Sequence, residues 1–573
     1  MTKMLAALLL PLILVQGEKP VVLQGIDGFA YTFTGAGLTQ VRRNGDLVAD
    51  GAFMAWDAGP KWFGTPDGQV ATPNAHYLAE VPSKLQLAMK SSSVVRQSDQ
   101  VVTVRQAWLR YSVTHTFALT NYDLKVTSKI ENLDEDSSIA IPAVGGLHFL
   151  FKKSPEGWMS TWHTSYLAHI KLGAFHPSPQ SPLGGSYATD GSIGIGVTAL
   201  DPDPDGRSLI FWDYDSWEPN RRDKEFPRWL ALVDGTSIPP GGSRMLRHSI
   251  RFRPSQDWKV LLAPYKEQFL RLHGPRGENG PRHYDVDHRL VAVAYINCDT
   301  QSISPENPFG LHGGEKRLDT PEGRQLFLQD LVPALKNVNG QGVIIWGQTG
   351  EVTRGEMYRT DFDVIPPPIV DGLDEVSKAF KAAGLSWGVC TRPGETTYRR
   401  DWQSDGTMAI SGDDPEQLRV VTQRFRNLIT KGATLFYLDS FGNTANDVKI
   451  MRHLRKELGP KISTYVEHSC DVMLAYSGAY TETDFYGKDS EPGLTEAQYR
   501  PRTSIRFLDI CRWMIGDIPV ISRLYDRKGE IPPGYPNERQ FFLRNGITPM
   551  ITHYELPGLV PTLLKEYQEG RKG

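Results

Sequence analysis

Two short apolar runs in the C-terminal half each end in a carboxylate. One is Thr434-Leu435-Phe436-Tyr437-Leu438-Asp439; the other is Ile462-Ser463-Thr464-Tyr465-Val466-Glu467. Between them, a turn at Gly442 leads into a helical pattern from about Thr444 to Leu458, which Gly459-Pro460 stops. The segment therefore reads as strand–helix–strand with an acid at the end of each strand. Paired carboxylates suit glycosidic-bond chemistry, in which one attacks the anomeric carbon and the other gives and then takes a proton. Retention of configuration needs the pair about 5–5.5 Å apart, and neighbouring strands lie about 4.8 Å apart. Acids ending adjacent strands therefore fall within reach of each other. A lone acid at such a place would more simply cap the next helix; two in succession favour chemistry.

Asp439 is the shorter side chain and is assigned as nucleophile. Glu467 follows apolar residues, which favour a proton-holding acid, and is assigned as acid/base. Asp484 or Glu482, at the end of a later strand, competes for that second role if loops bring it inward.

The elements that position these acids follow from the alternation around them. Strand patterns at about 290–297, 343–346, 385–390, 434–439, 462–467, 479–484, 517–522 and 547–551 alternate with helical patterns at about 322–338, 371–383, 415–430, 444–458, 504–515 and 560–569. Eight such units in residues 288–573 predict a catalytic (β/α)8 TIM barrel, with an open doubly wound sheet as the other possibility. No G-x-G-x-x-G turn follows the first strand, which weakens a dinucleotide-binding version of that alternative. In a barrel the strand ends would gather Asn297, Asp299, Trp346, Gln348, Trp387, Arg392, Tyr437, His468, Glu482 and Asp484 around the two acids as sugar-binding groups. Arg392 is suited to an anionic substituent on the sugar or to an ion pair at the rim.

Residues 18–255 read differently. Runs such as Val101–Val104, Leu109–Val113, Leu124–Ile130 and Leu209–Trp212 alternate or cluster apolar residues between turn signals, predicting an antiparallel β-sandwich. Trp212, Trp217 and Trp229 are expected in its core. A helical pattern and a Gly/Pro-rich stretch across 256–287 read as a helical linker.

Composition narrows the class further. A formal net charge of -3 over 573 residues leaves no electrostatic footprint for nucleic acid. Lys3, the apolar run Leu5 to Val15 and the small-residue site near Gly17 read as a signal peptide over residues 1–17, so a secreted or periplasmic protein is expected, without a later membrane span. Cys298, Cys390, Cys470 and Cys511 show no paired spacing and are expected to be mostly buried thiols. No zinc-type ligand set and no G-x-S-x-G elbow is present. Asp201, Asp203 and Asp205 open like a calcium loop, but Trp212 occupies the twelfth position, where an EF-hand needs an acid; a lone surface calcium there is the remaining metal option. No organic cofactor is implied.

A β-sandwich followed by a barrel, with Tyr437-Leu438-Asp439 on strand four and Val466-Glu467 on strand five, resembles the endo- and exo-acting α-N-acetylgalactosaminidases. That resemblance implies a retaining glycoside hydrolase with Asp439 as nucleophile and Glu467 as acid/base, acting on an oligosaccharide, polysaccharide or glycoprotein glycan. More distantly the chain is similar to the α-galactosidase and α-glucosidase clans. Their acid comes from strand six, where Asp484 would match. The Lys-x-Asp nucleophile context of the α-galactosidases is absent here. A carbohydrate-binding protein on an inactive barrel and a transglycosylase remain as rivals; the latter differs only in its acceptor.

Overall fold

The computed structural model describes residues 19–55, 89–141, 144–149, 180–181, 183–187, 191–201, 209–212, 228–233, 237–274, 289–295, 304–308, 311, 314–346, 365–397, 407–442, 444–467, 470–481, 505–523, 542–543, 546–553 and 556–570. The chain forms two compact units, and the division falls between Phe269 and Leu270. The expected signal peptide lies outside the described residues.

The first unit is antiparallel β. One sheet of eight strands runs, in spatial order, Val21–Gln24, Phe29–Thr34, Gly37–Arg43, Asp46–Ala52, Gly145–Phe149, Arg228–Val233, Leu209–Trp212 and Gln180–Ser181. A second, of seven, runs Leu183–Tyr187, Gly194–Ala199, Ser243–Arg253, Asp123–Asn132, Tyr111–Thr120, Val101–Ala107 and Ser91–Ser98. Tyr111–Thr120 alternates buried and half-buried residues until its last position, the signature of a strand with one face in a core. The inward faces of both sheets meet in one apolar core, where Phe33 packs on Phe117 and Phe29 on Phe252. This is the expected sandwich.

The helix Trp258–His273 begins on that sandwich, although the sequence reads it as linker. A Cβ on Gly196 would lie 2.1 Å from the Leu261 carbonyl oxygen, so only glycine allows the helix to approach the strand this closely. Arg251 ties the same helix down by donating to the Val260 carbonyl while its guanidinium grips both oxygens of Asp123.

The second unit is a closed barrel of eight parallel strands: Val291–Tyr295, Gly342–Trp346, Ser386–Thr391, Leu435–Leu438, Ser463–Val466, Gly478–Thr481, Val520–Arg523 and Ile547–Thr552. Strands two, four, five and eight are buried along their whole length, as runs flanked on both sides by protein must be. Six helices accompany the barrel strands among the described residues: Pro321–Asn337, Pro367–Ala382, Pro415–Thr430, Ala445–Leu458, Ile505–Ile515 and Leu556–Gly570. They stand where the six helical patterns of the sequence were expected. Strands five and six are joined through a single 3-10 turn, Met473–Ala475, and not through a helix. The short hairpin of Glu395–Thr397 and Thr407–Ala409 extends the loop after strand three.

Helix starts follow local chemistry. Asp414 and Thr320 accept hydrogen bonds from the first-turn amides behind prolines at the first helical position. Thr444 and Asp447 form a reciprocal capping box. No described helix is long and apolar enough to cross a membrane.

Candidate active site

Side-chain parity decides what faces the barrel axis. Cys390 on strand three, Tyr437 on strand four and Tyr465 on strand five all belong to the apolar cluster inside the barrel. Two residues further along each strand come Arg392, Asp439 and Glu467, which therefore point to the same side at its C-terminal end. The ladder holds them there. The Asp439 amide donates to the Thr391 carbonyl at 2.9 Å, and the Glu467 amide donates to the Leu438 carbonyl at 3.0 Å. Leu438 pairs with Val466, so the acids stand side by side one step beyond the last paired residues.

The loops behind the acids are fixed in turn. Asp447, from its capping box, accepts the amides of Gly442 and Thr444. The Cys470 amide donates to the Gly442 carbonyl, which joins the loop after strand four to the loop after strand five. Between the two acids stands Ser440, in a left-handed backbone conformation with φ of 48°. That conformation is uncommon outside glycine and asparagine and persists where surrounding contacts impose it. Its amide donates to Glu467 Oε2 at 2.7 Å, and its hydroxyl lies 3.3 Å from Asp439 Oδ2.

Arg392 Nε donates to the same Asp439 Oδ2 at 2.7 Å. The ion pair is nearly enclosed, with side chains 11% and 9% exposed, so it keeps much of its Coulomb attraction. Arg392 also approaches Glu395 at 4.0 Å. The expected alternatives for Arg392 were an anion on the sugar or a rim ion pair, and its Nε is engaged in the second.

Below the acids lies an aromatic floor. Trp346 packs 4.5 Å from Tyr437, Tyr437 meets Tyr480 edge-on at 5.3 Å, and Tyr295 lies 5.6 Å from Trp346, all between ring centroids. Burial pushes the Tyr437 hydroxyl well above its ordinary value, and the negative charges of Glu467 and Asp439 add to it. Cys390 is raised by burial first and then by Asp439 and Glu467. Both side chains therefore keep their protons, and a thiolate nucleophile is disfavoured. Both carboxylates thus lie close enough to Cys390 and Tyr437 to raise the same two groups.

Several sequence expectations resolve differently. Trp387 does not join the site. It sits on strand three with the parity opposite to Cys390, is 2% exposed, and its Nε1 lies 3.6 Å from the Cβ position of Gly432, behind the strand. Asn297, Asp299, Gln348, His468, Glu482 and Asp484 lie outside the described residues, as do Asp203 and Asp205. Asp201 accepts from the Arg247 amide at 2.9 Å and from its guanidinium at 3.3 Å, so its carboxylate is already engaged. Among the described residues no cluster of His, Cys, Asp and Glu is suited to a metal. Cys390, Cys470 and Cys511 are buried thiols, as expected. The sequence reading missed Ser440, Tyr465 and Tyr480. The two tyrosines could have been found by counting back two positions from Glu467 and Glu482.

No family model and no curated protein sequence matches the chain. Solved structures do. The α-N-acetylgalactosaminidase NagBb from Bifidobacterium bifidum in complex with GalNAc aligns at a TM-score of 0.59 and 13% identity, over 96% of this chain and 93% of that one. A quadruple mutant of NagBb aligns at 0.58 with the same identity and coverage. The GH36 α-galactosidase AgaA from Geobacillus stearothermophilus aligns more loosely, at 0.41 and 10% identity, over 96% of this chain and 86% of that one. At these identities the likeness is one of fold: a β-sandwich joined to a closed parallel barrel.

Proposed function

We propose that the protein is an exported retaining α-glycosidase that hydrolyses α-linked galactose- or N-acetylgalactosamine-type glycosides by double displacement. The observation that carries this is a pair of carboxylates at one level on neighbouring barrel strands, each two residues beyond a tyrosine of the cluster inside the barrel. Adjacent strands bring such a pair close to the roughly 5–5.5 Å that a nucleophile and an acid/base need for retention. The barrel mouth is where this architecture carries its chemistry, and stacked aromatics suit the apolar faces of a sugar. The fold shared with NagBb, whose structure holds GalNAc, supports the choice of sugar class. Export rests on the N-terminal sequence pattern, and N-terminal sequencing of the mature protein tests it.

In this reading Asp439 attacks the anomeric carbon while Glu467 protonates the leaving oxygen. Glu467 then takes a proton from the water that releases the sugar. The test is a panel of chromogenic α- and β-glycosides followed by azide rescue. The wild type is expected to cleave the α-series. The Glu467→Ala variant is expected to lose turnover and to regain it with azide, releasing a β-glycosyl azide. Rescue of Asp484→Ala instead would move the acid/base to strand six. An intact panel, with sugar bound but no aglycone released, would make the protein a binding module.

A further inference from the structure

We infer that Asp439 attacks through Oδ1, and that Arg392 and Ser440 are positioning residues that act on Oδ2 in the second half of the reaction. The inference rests on the glycosidase reading above and assigns atoms within it. Among the described residues, both side-chain donors that reach Asp439 converge on one oxygen: Arg392 Nε at 2.7 Å and Ser440 Oγ at 3.3 Å, each to Oδ2. No described residue hydrogen-bonds Oδ1. Among the described residues, the two oxygens of one carboxylate are thus unequal before any substrate arrives.

The chemistry of the two steps turns that inequality into a kinetic asymmetry. In the first step an Oδ1 lone pair forms the bond to the anomeric carbon. The bond from that carbon to the leaving oxygen breaks, its electron pair stays with that oxygen, and the Glu467 proton neutralises it. Oδ2 becomes the carbonyl oxygen of the glycosyl ester and loses most of its negative charge. Its two donors are then weaker partners than they were in the free enzyme, because hydrogen bonds to an ionised acceptor are about twice as strong as neutral ones. In the second step water attacks the anomeric carbon and gives its proton to Glu467. The bond to Oδ1 breaks, and its pair returns the carboxylate charge to Asp439. Arg392 and Ser440 regain their charged acceptor as that charge develops, so they stabilise the second transition state relative to the ester. Toward the first step their effect is neutral or slightly opposing.

Ser440 adds a geometric role. Its left-handed backbone aims the amide at Glu467 Oε2 while its hydroxyl reaches Asp439, so one residue spans the nucleophile and the acid/base. Glycine at this position keeps the amide and accepts the φ, but it removes the hydroxyl. Ser440→Gly therefore separates the donor role from the conformational one.

The experiment uses the full-length protein and a dinitrophenyl α-glycoside of the sugar the wild type cleaves, whose fast first step exposes the second. For Ser440→Gly, kcat is expected to fall about tenfold, the equivalent of one modest hydrogen bond. KM is expected to fall with it, kcat/KM to stay within about threefold of wild type, and stopped flow to show a burst of one equivalent of dinitrophenol. Ser440→Ala is expected to show the same split, and Arg392→Lys a larger one in the same direction. Wild-type kinetics in Ser440→Gly, or kcat and kcat/KM falling together without a burst, would overturn the inference. No dinitrophenol from the wild type would instead overturn the glycosidase reading, and this inference with it.

Discussion

The two units bury titratable side chains for opposite ends. In the sandwich, His115 and His248 are completely enclosed between sheets, and His115 Nδ1 is paired with the Ser128 hydroxyl at 2.8 Å. Burial lowers both imidazoles to about 3, so they stay neutral and serve as polar core residues. In the barrel, Asp439 is nearly as buried but sits beside a guanidinium, and no described residue hydrogen-bonds its Oδ1. A neutral buried group needs a hydrogen bond; a charged one needs a counter-charge. Strand burial separates the units in the same way: the sandwich strands Tyr111–Thr120 and Asp123–Asn132 alternate, while the barrel strands Leu435–Leu438 and Ser463–Val466 are buried throughout.

The largest expected effect lies at the barrel mouth. Asp439→Asn should lower turnover of an activated α-glycoside by more than about a thousandfold while leaving a cooperative unfolding transition. The matching change in the sandwich, His115→Gln, should lower the unfolding midpoint yet leave turnover per folded molecule unchanged. Equal losses of activity in the two variants would erase the contrast.

Stability offers a second contrast within the barrel. Arg455 is buried, and its guanidinium donates to the carbonyls of Tyr476, Gly459 and Ile462 and to the Thr464 hydroxyl. Burial lowers it to about 10, but it remains charged near neutrality. Arg455→Met strands these acceptors and should cost about 3–5 kcal/mol in chemical denaturation. It touches neither acid, so the catalytic pH profile should not move.

The sandwich histidines set an acid limit. Their folded values lie below the ordinary histidine value, so the unfolded chain binds protons that the fold refuses. Their contribution is fully present above about pH 6.5 and is lost as the pH falls toward about 3. Urea midpoints should therefore decline over that window, and His115→Gln should flatten the decline. The smallest effect belongs to Arg419, which pairs with Glu416 on the exposed face of the helix Pro415–Thr430. Arg419→Ala should leave the unfolding midpoint unchanged within error.

Much of this was legible in the sequence. The helix Pro415–Thr430 matches its expected span residue for residue, because Asp414-Pro415 marks its start and Gly432 follows its end. All eight barrel strands lie where the apolar runs stand. The helix at 371–383 begins earlier, at Pro367, because three successive prolines precede an apolar face that continues the turn. Trp387 was placed in the site because an aromatic on a barrel strand suits a sugar, but parity from Cys390 turns it outward. Ser440 left no signal, since serine has no preference for the left-handed region. The conformation comes from the rigid ends of two strands and from the pairing of their loops through Gly442 and Cys470, and such long-range constraints do not show in local sequence.

The most direct measurement is a covalent trap. A 5-fluoro-glycosyl fluoride of the cleaved sugar slows release of the ester, and peptide mass spectrometry then locates the sugar. It should be found on the peptide containing Asp439, with inactivation following one equivalent of label. A sugar on any other residue, or turnover that inverts the anomeric centre with no trapped ester, would contradict the pairing of Asp439 with Glu467 as nucleophile and acid/base.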